Sequence, residues 1–171
     1  ITVLSAAKYR PTITFNFSGS AWTYTPVGAQ SGTHKRIRFE GLRFEAADTR
    51  TVDFFSNGVV VDETPHVELV DVDFSKAGSG AWRYVQDQPL ASTLAGIYML
   101  RCDGVFSAIA TLTSGSEASA ERSALTLDDC TLTLVNIIQR NADTNTEMAY
   151  EYRFRNNRLA VSGYGIKLTH V

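Results

Sequence analysis

One short frame recurs along this chain and limits its fold more than any other feature. The frame is apolar, any residue, apolar, two intervening residues, apolar, any residue, apolar. It is written as Ile37-Arg-Phe39-Glu-Gly-Leu42-Arg-Phe44 and again as Val67-Glu-Leu69-Val-Asp-Val72-Asp-Phe74. Further copies read Leu100-Arg-Cys102-Asp-Gly-Val105-Phe-Ser107, Leu125-Thr-Leu127-Asp-Asp-Cys130-Thr-Leu132 and Tyr152-Arg-Phe154-Arg-Asn-Asn157-Arg-Leu159. The residues that follow the central pair, Leu42, Val72, Val105, Cys130 and Asn157, stand 30, 33, 25 and 27 positions apart. Self-similarity at this period marks a solenoid, in which each unit buries its apolar face only by stacking on the next.

Within each copy the period is two, which puts alternate side chains on one face of a strand. Ile13, Phe15 and Phe17, and Tyr150, Tyr152 and Phe154, alternate in the same way. No segment carries a helical stripe: Glu117 to Leu125 reads as an exposed loop and Ser114 to Ser123 as a solvated, low-complexity one. The fold class is therefore all-β. Two arrangements compete. In a β-sandwich or jelly roll, Glu40-Gly41 and Asp103-Gly104 would be two-residue hairpin turns. Val70-Asp71, Asp128-Asp129 and Arg155-Asn156 do not fit that turn chemistry, and hairpins signal a turn about every 8–12 residues. A bend between two short strands of a stacked coil explains all five copies, with like residues aligned at about 4.8 Å.

Composition removes several classes of function. Sixteen basic and eighteen acidic residues leave a net charge of −2, which makes no electrostatic case for nucleic acid or an anionic membrane. Apolar stretches such as Val59 to Val61 and Leu134 to Ile138 fall far short of the roughly 18 residues a membrane span needs. A 44% hydrophobic share is that of a folded domain, not of a disordered chain. The chain starts at Ile1 with neither an initiator methionine nor a basic-then-apolar leader, as expected of a processed or truncated product.

The segments "IRFEGLRFE" (37–45), "VELVDVDFS" (67–75), "LTLDDCTLTL" (125–134) and "YRFRNNRLAV" (152–161) resemble the right-handed parallel β-helix of pectate-lyase-like proteins and bacteriophage tailspikes. The likeness covers residues 34–171 and, more weakly, the Ile13-Thr-Phe15-Asn-Phe17 strand, which lies 24 residues before Ile37 and is expected to align with it. It implies a single solenoid domain of five to six coils, with residues 1–33 as an opening coil and loop. It also implies an inward small polar or thiol residue at the bend, a place Cys130 and Asn157 take. Threefold packing about the helix axis is a further implication.

Candidate site residues follow. Sugar-cleaving members of this architecture use carboxylates, and a hydrolase needs two at set separations. Asp71, Asp103 and Asp129 fall at or beside successive bends and are expected to form a column, with Glu68, Asp73 and Asp128 nearby. Bend aspartates also cap local backbone, the plainer role. A lyase would need a base, for which Arg101 and Arg155 stand closest. His34, His66 and His170 have no metal-ligand spacing, so neither metal nor cofactor is expected. Cys102 precedes its bend in this frame and Cys130 follows its own. Different columns keep them from bridging and predict two buried free thiols. Trp22 and Tyr24, then Trp82 and Tyr84, repeat a Trp-x-Tyr spacing in loops rich in Gly, Ser and Pro, where such rings suit stacking on sugars.

The expected function is a virion structural module of a phage-like particle: a tailspike, fibre or capsid-decorating domain. It would be assembled in the host cytoplasm as a homotrimer, joined to other virion proteins, and would recognise host cell-surface polysaccharide. The alternatives are a polysaccharide lyase or glycoside hydrolase, and a passive secreted or cell-surface adhesin.

Overall fold

The computed structural model describes residues 2–6, 9–15, 36–46, 52–56, 66–77, 82–86, 96–113, 122–142, 149–163 and 165–170. These residues form strands and bends and no helix. Strands β1 (Thr2–Leu4), β3 (Arg36–Glu40), β6 (His66–Val70), β9 (Gly96–Leu100), β11 (Arg122–Asp128) and β13 (Ala149–Arg155) make one sheet in that order. The second sheet runs through β2 (Thr12–Phe15), β4 (Arg43–Ala46), β7 (Asp73–Ala77), β10 (Asp103–Thr113), β12 (Thr131–Ala142) and β14 (Arg158–Val161). The long strands β10 and β12 continue past these neighbours. There β10 pairs with β8 (Trp82–Gln86), which also pairs with β5 (Val52–Ser56), and β12 pairs with β15 (Ile166–His170). Every described pairing is parallel. Two parallel sheets fed alternately by the chain are compatible with a β-helix-like solenoid. Hairpin pairing, on which a sandwich or jelly roll depends, is antiparallel and does not occur among the described residues.

The inward rows follow from the repeat. Val3, Phe39, Leu69, Met99, Leu127 and Phe154 are successive register partners in the first sheet. A second row there comprises Ile37, Val67, Ile97, Leu125 and Tyr152. Facing them, Phe15, Phe44, Phe74 and Phe106 follow one another with ring centroids 5.8, 5.2 and 5.1 Å apart, tilted, stacked and edge-to-face in turn. Such ring pairs add stabilisation beyond their buried area. All four rings are buried, Phe44 and Phe74 completely.

Between the sheets the chain turns through one residue with left-handed backbone, five times over. Gly41 (φ 69°), Asp71 (52°), Arg101 (51°), Asp129 (53°) and Asn156 (56°) hold the same place in successive repeats. Gly, Asp and Asn tolerate this conformation best, and at Gly41 a Cβ would also lie 2.2 Å from Ser5 Oγ. The ladder does not break at the bend. The Asp71, Arg101 and Asp129 amides donate to the Leu100, Asp128 and Arg155 carbonyls at 2.9, 2.9 and 3.0 Å. Two residues on, the Asp73, Asp103, Thr131 and Arg158 amides donate back to Leu42, Val72, Cys102 and Cys130.

Several sequence expectations change. The third repeat is shifted by three residues: its bend is Arg101 and its inward post-bend residue is Cys102, while Val105 points outward and is 38% exposed. The residues after the bend are thus Leu42, Val72, Cys102, Cys130 and Asn157, separated by 30, 30, 28 and 27 positions. Gly104 lies within β10 and makes no turn. Its inward slot is filled by the Phe106 ring, 2.7 Å from where a Gly104 Cβ would sit, and this missing side chain hid the alternation. The Ile13 strand belongs to the second sheet, pairing with Phe44, and the partner of β3 is β1. Residues 122–125, expected in a loop, open β11, and Leu125 is buried there.

Substituting Gly104→Ala drives a methyl into both Phe106 and Phe74 Cβ, each 2.7 Å away. Urea unfolding is expected to show a loss of about 1–3 kcal/mol, the cost of overpacking a tight core.

Candidate functional site

Stacked parallel strands bring like positions of successive repeats together, so a column of one charge would repel itself. On the outer faces the sequence alternates sign instead. Arg38 stands in register with Glu68, Arg43 with Asp73, and Asp128 with Arg155. At the bend Asp71 is followed by Arg101. Each of these neighbours is an ion pair. Arg38 Nη1 donates to Glu68 Oε2 at 3.0 Å, and its Nε and Nη2 donate to Glu40 at 2.9 and 2.8 Å. Arg36 reaches the other oxygen of Glu68. Arg43 Nε donates to Asp73 Oδ2 at 2.8 Å, and Arg10 lies 3.9 Å from the same oxygen. Arg101 grips Asp71 bidentately at 2.6 and 2.8 Å. Arg155 donates through Nε to both oxygens of Asp128, at 3.0 and 3.2 Å, and through Nη2 to Oδ2.

The pairing sets the chemistry of these groups. The hydrogen bond from Arg101 lowers the Asp71 pKa below the usual carboxylate range, and that from Arg155 does the same for Asp128. The guanidiniums of Arg101, Arg155 and Arg38 are raised in turn by their carboxylate partners. Neither Arg101 nor Arg155 is thereby suited to accept a proton, and neither paired aspartate to donate one.

The predicted acids do not make one column. Asp71 and Asp129 share the bend position, with Arg101 between them. Asp103 begins β10 instead, exposed, with Asp73 and Thr131 as its register neighbours. Trp82 and Tyr84 lie in a strand and not a loop: β8 sits between β5 and β10, as aromatic β-formers favour. Trp22 and Tyr24 lie outside the described residues. Among the described residues, no three His, Cys, Asp or Glu side chains gather at one point to hold a metal ion.

The two thiols are buried and free, but in the same column, not different ones. Cys102 Sγ lies 3.4 Å from the Leu69 carbonyl, and Cys130 Sγ 3.5 Å from that of Met99. Asn157 repeats the contact, Nδ2 donating to Leu127 O at 2.9 Å while Oδ1 accepts from the Cys130 amide. Leu69, Met99 and Leu127 are register partners, so one bond is made three times. Burial pushes the Cys102 thiol well above its usual range, which keeps it protonated and donating.

One concavity accompanies the charge ladder. Tyr98, Thr126 and Arg153 are register partners on the outer face of the first sheet. With Asp128 and Arg155 they line an open groove of about 600 Å³. Sequence reasoning passed over these residues; adding charges and aromatics at the 27- to 30-residue spacing brings them out. Comparison with protein-family models, curated proteins and solved structures gives no match.

The lowered carboxylates fix the sign of the acid response. Asp71 and Asp128 contribute stability that is complete above their unfolded pKa near 3.9 and is lost as pH falls through the lower folded values. Below about pH 4 the melting temperature is expected to drop. The Asp71→Asn, Asp128→Asn double variant, melting lower at pH 7, is expected to show a flatter acid limb in calorimetry. An unchanged limb would show that these pairs do not couple to folding.

Proposed function

We propose that this chain is a structural module of a phage-like virion: a right-handed parallel β-helix of six coils that associates as a trimer and recognises host cell-surface polysaccharide. Right-handed crossovers dominate parallel connections almost without exception, and the single bend residue with its inward thiol or amide agrees with the β-helices it resembles.

The observation that carries the reading is an exposed, uncharged patch on the second sheet. There Val105, Thr133, Val135 and Ala160 face outward, Val105 38% and Val135 47% exposed, next to a charged row beside the bend, Arg43, Asp73, Asp103 and Arg158. On the first sheet one outward row, Arg38, Glu68, Tyr98, Thr126 and Arg153, is charged and polar with one aromatic ring, and the next, Glu40, Val70, Leu100, Asp128 and Arg155, mixes apolar and charged residues. Uncharged β-branched side chains on a sheet face suit burial against another subunit. The first face then stays outward for recognition.

A degradative enzyme is the second reading. With Asp71 and Asp128 tied to arginines, it would rest on exposed Asp103 beside Asp73, itself held by Arg43. Release of reducing or unsaturated ends, abolished by Asp103→Asn, would establish it against the structural module.

Light scattering across a range of concentrations is expected to give three times the 18.8 kDa chain mass. The Val105→Glu, Val135→Glu double variant is expected to fall to one chain mass while keeping its β-sheet circular dichroism. A monomeric parent would overturn the trimer, and an unaffected variant would move the interface elsewhere.

A further inference from the structure

We infer that the groove between Tyr98 and Arg155 is a binding site for a neutral polysaccharide, an assignment that rests on the polysaccharide-recognition reading above and gives it a place and a ligand class. Three observations meet there. The first is shape: about 600 Å³ lies within the range of small-ligand sites, and the groove is open, as a polymer that enters and leaves along its length requires. The second is the platform. Tyr98 is half-buried, and a tyrosine ring combines an apolar face with a polar edge, the combination that stacks on a sugar ring. Thr126 and Arg153 continue the same column at successive steps of about 4.8 Å, so a hydroxyl and a guanidinium follow the ring along the axis.

The third is charge. Of the two arginines in the groove, Arg155 is committed to Asp128 and Arg153 is engaged in an interaction of its own; the neighbouring Arg101 is held by Asp71. Asp129 adds to the field that raises Arg101 and Arg155. An acidic sugar would have to displace a carboxylate already in place to reach Arg155. A neutral sugar need displace nothing. The bonds to Asp128 engage Nε and Nη2, which leaves Nη1 with its two hydrogens to donate to a hydroxyl. A guanidinium edge oriented in advance by its own ion pair matches a sugar hydroxyl, and less of its freedom is lost on binding.

Calorimetric titration tests this on the whole chain, with oligosaccharides of a neutral mannan, galactan and glucan and with oligogalacturonate as the acidic probe. One of the neutral series is expected to bind, with little dependence on salt. Tyr98→Ala is expected to weaken that binding at least tenfold. Thr126→Phe, which fills the groove with a good strand former, is expected to do the same at the parent's melting temperature, and it decides the matter if Tyr98→Ala does not fold. Neutral binding that survives in a folded variant of either kind would overturn the groove while leaving polysaccharide recognition standing. Binding of oligogalacturonate alone would overturn the neutral assignment. Binding of none of the four would overturn the recognition reading and this site with it.

Discussion

The structure depends on a single bent residue. Two sheets of parallel strands can be fed by one chain only if it turns between them in the same way every time. Here that turn is one left-handed residue, repeated at Gly41, Asp71, Arg101, Asp129 and Asn156. A left-handed conformation costs an ordinary L-residue about 1–2 kcal/mol, and four of these five are not glycine. The cost is offset because the bend amide and the amide two residues later both donate into adjoining repeats, so the hydrogen-bond ladder continues through the corner. The bend also sets register. Once it is aligned, the rows Val3 to Phe154 and Ile37 to Tyr152 stack as apolar ladders, and the four phenylalanines close the core opposite them.

Stacking identical positions creates a difficulty on the outside, where like charges would meet. This sequence meets it by alternating sign along the axis, Arg38 with Glu68, Arg43 with Asp73, Asp71 with Arg101, and Asp128 with Arg155. These pairs bury the carboxylates of Glu68, Asp73 and Asp128, and the desolvation penalty offsets much of their Coulombic gain. Their larger consequence is specificity: a register slip would bring unlike neighbours out of line and like charges together. The exception is the Asp73–Asp103 neighbour pair, where two acids are adjacent and Asp73 is held by arginines from its other side.

Much of the fold was legible in the sequence. Period-two alternation and the recurring frame give an all-β chain with stacked strands, and four of the five copies were read in the correct register. The third was not, for two physical reasons. Cys102 reads as an apolar residue of a strand when it is the inward residue after a bend, and Gly104 leaves a blank in the inward row that Phe106 fills from two positions on. The same error placed the cysteines in different columns, although their burial as free thiols followed from either frame. Requiring an even spacing would have corrected it, since 30, 30, 28 and 27 is smoother than 30, 33, 25 and 27. The site was less legible. The bend aspartates read as catalysts because their arginine partners lie about thirty residues away, a separation at which no local motif reads. Tyr98 and Thr126 carry no motif at all and become a surface only after stacking.

The central claim is the bend column, and the chain's two cysteines allow it to be read directly. With only cysteine labelled with ¹³C, a nuclear Overhauser measurement in solution reports which side chain lies beside each thiol. The account predicts a strong cross-peak between the β-protons of Cys102 and Cys130, one inter-strand step apart. Its absence, with Cys130 instead showing contacts to the methyl groups of Val105, would contradict the register on which the ion pairs, the thiol column and the groove all depend.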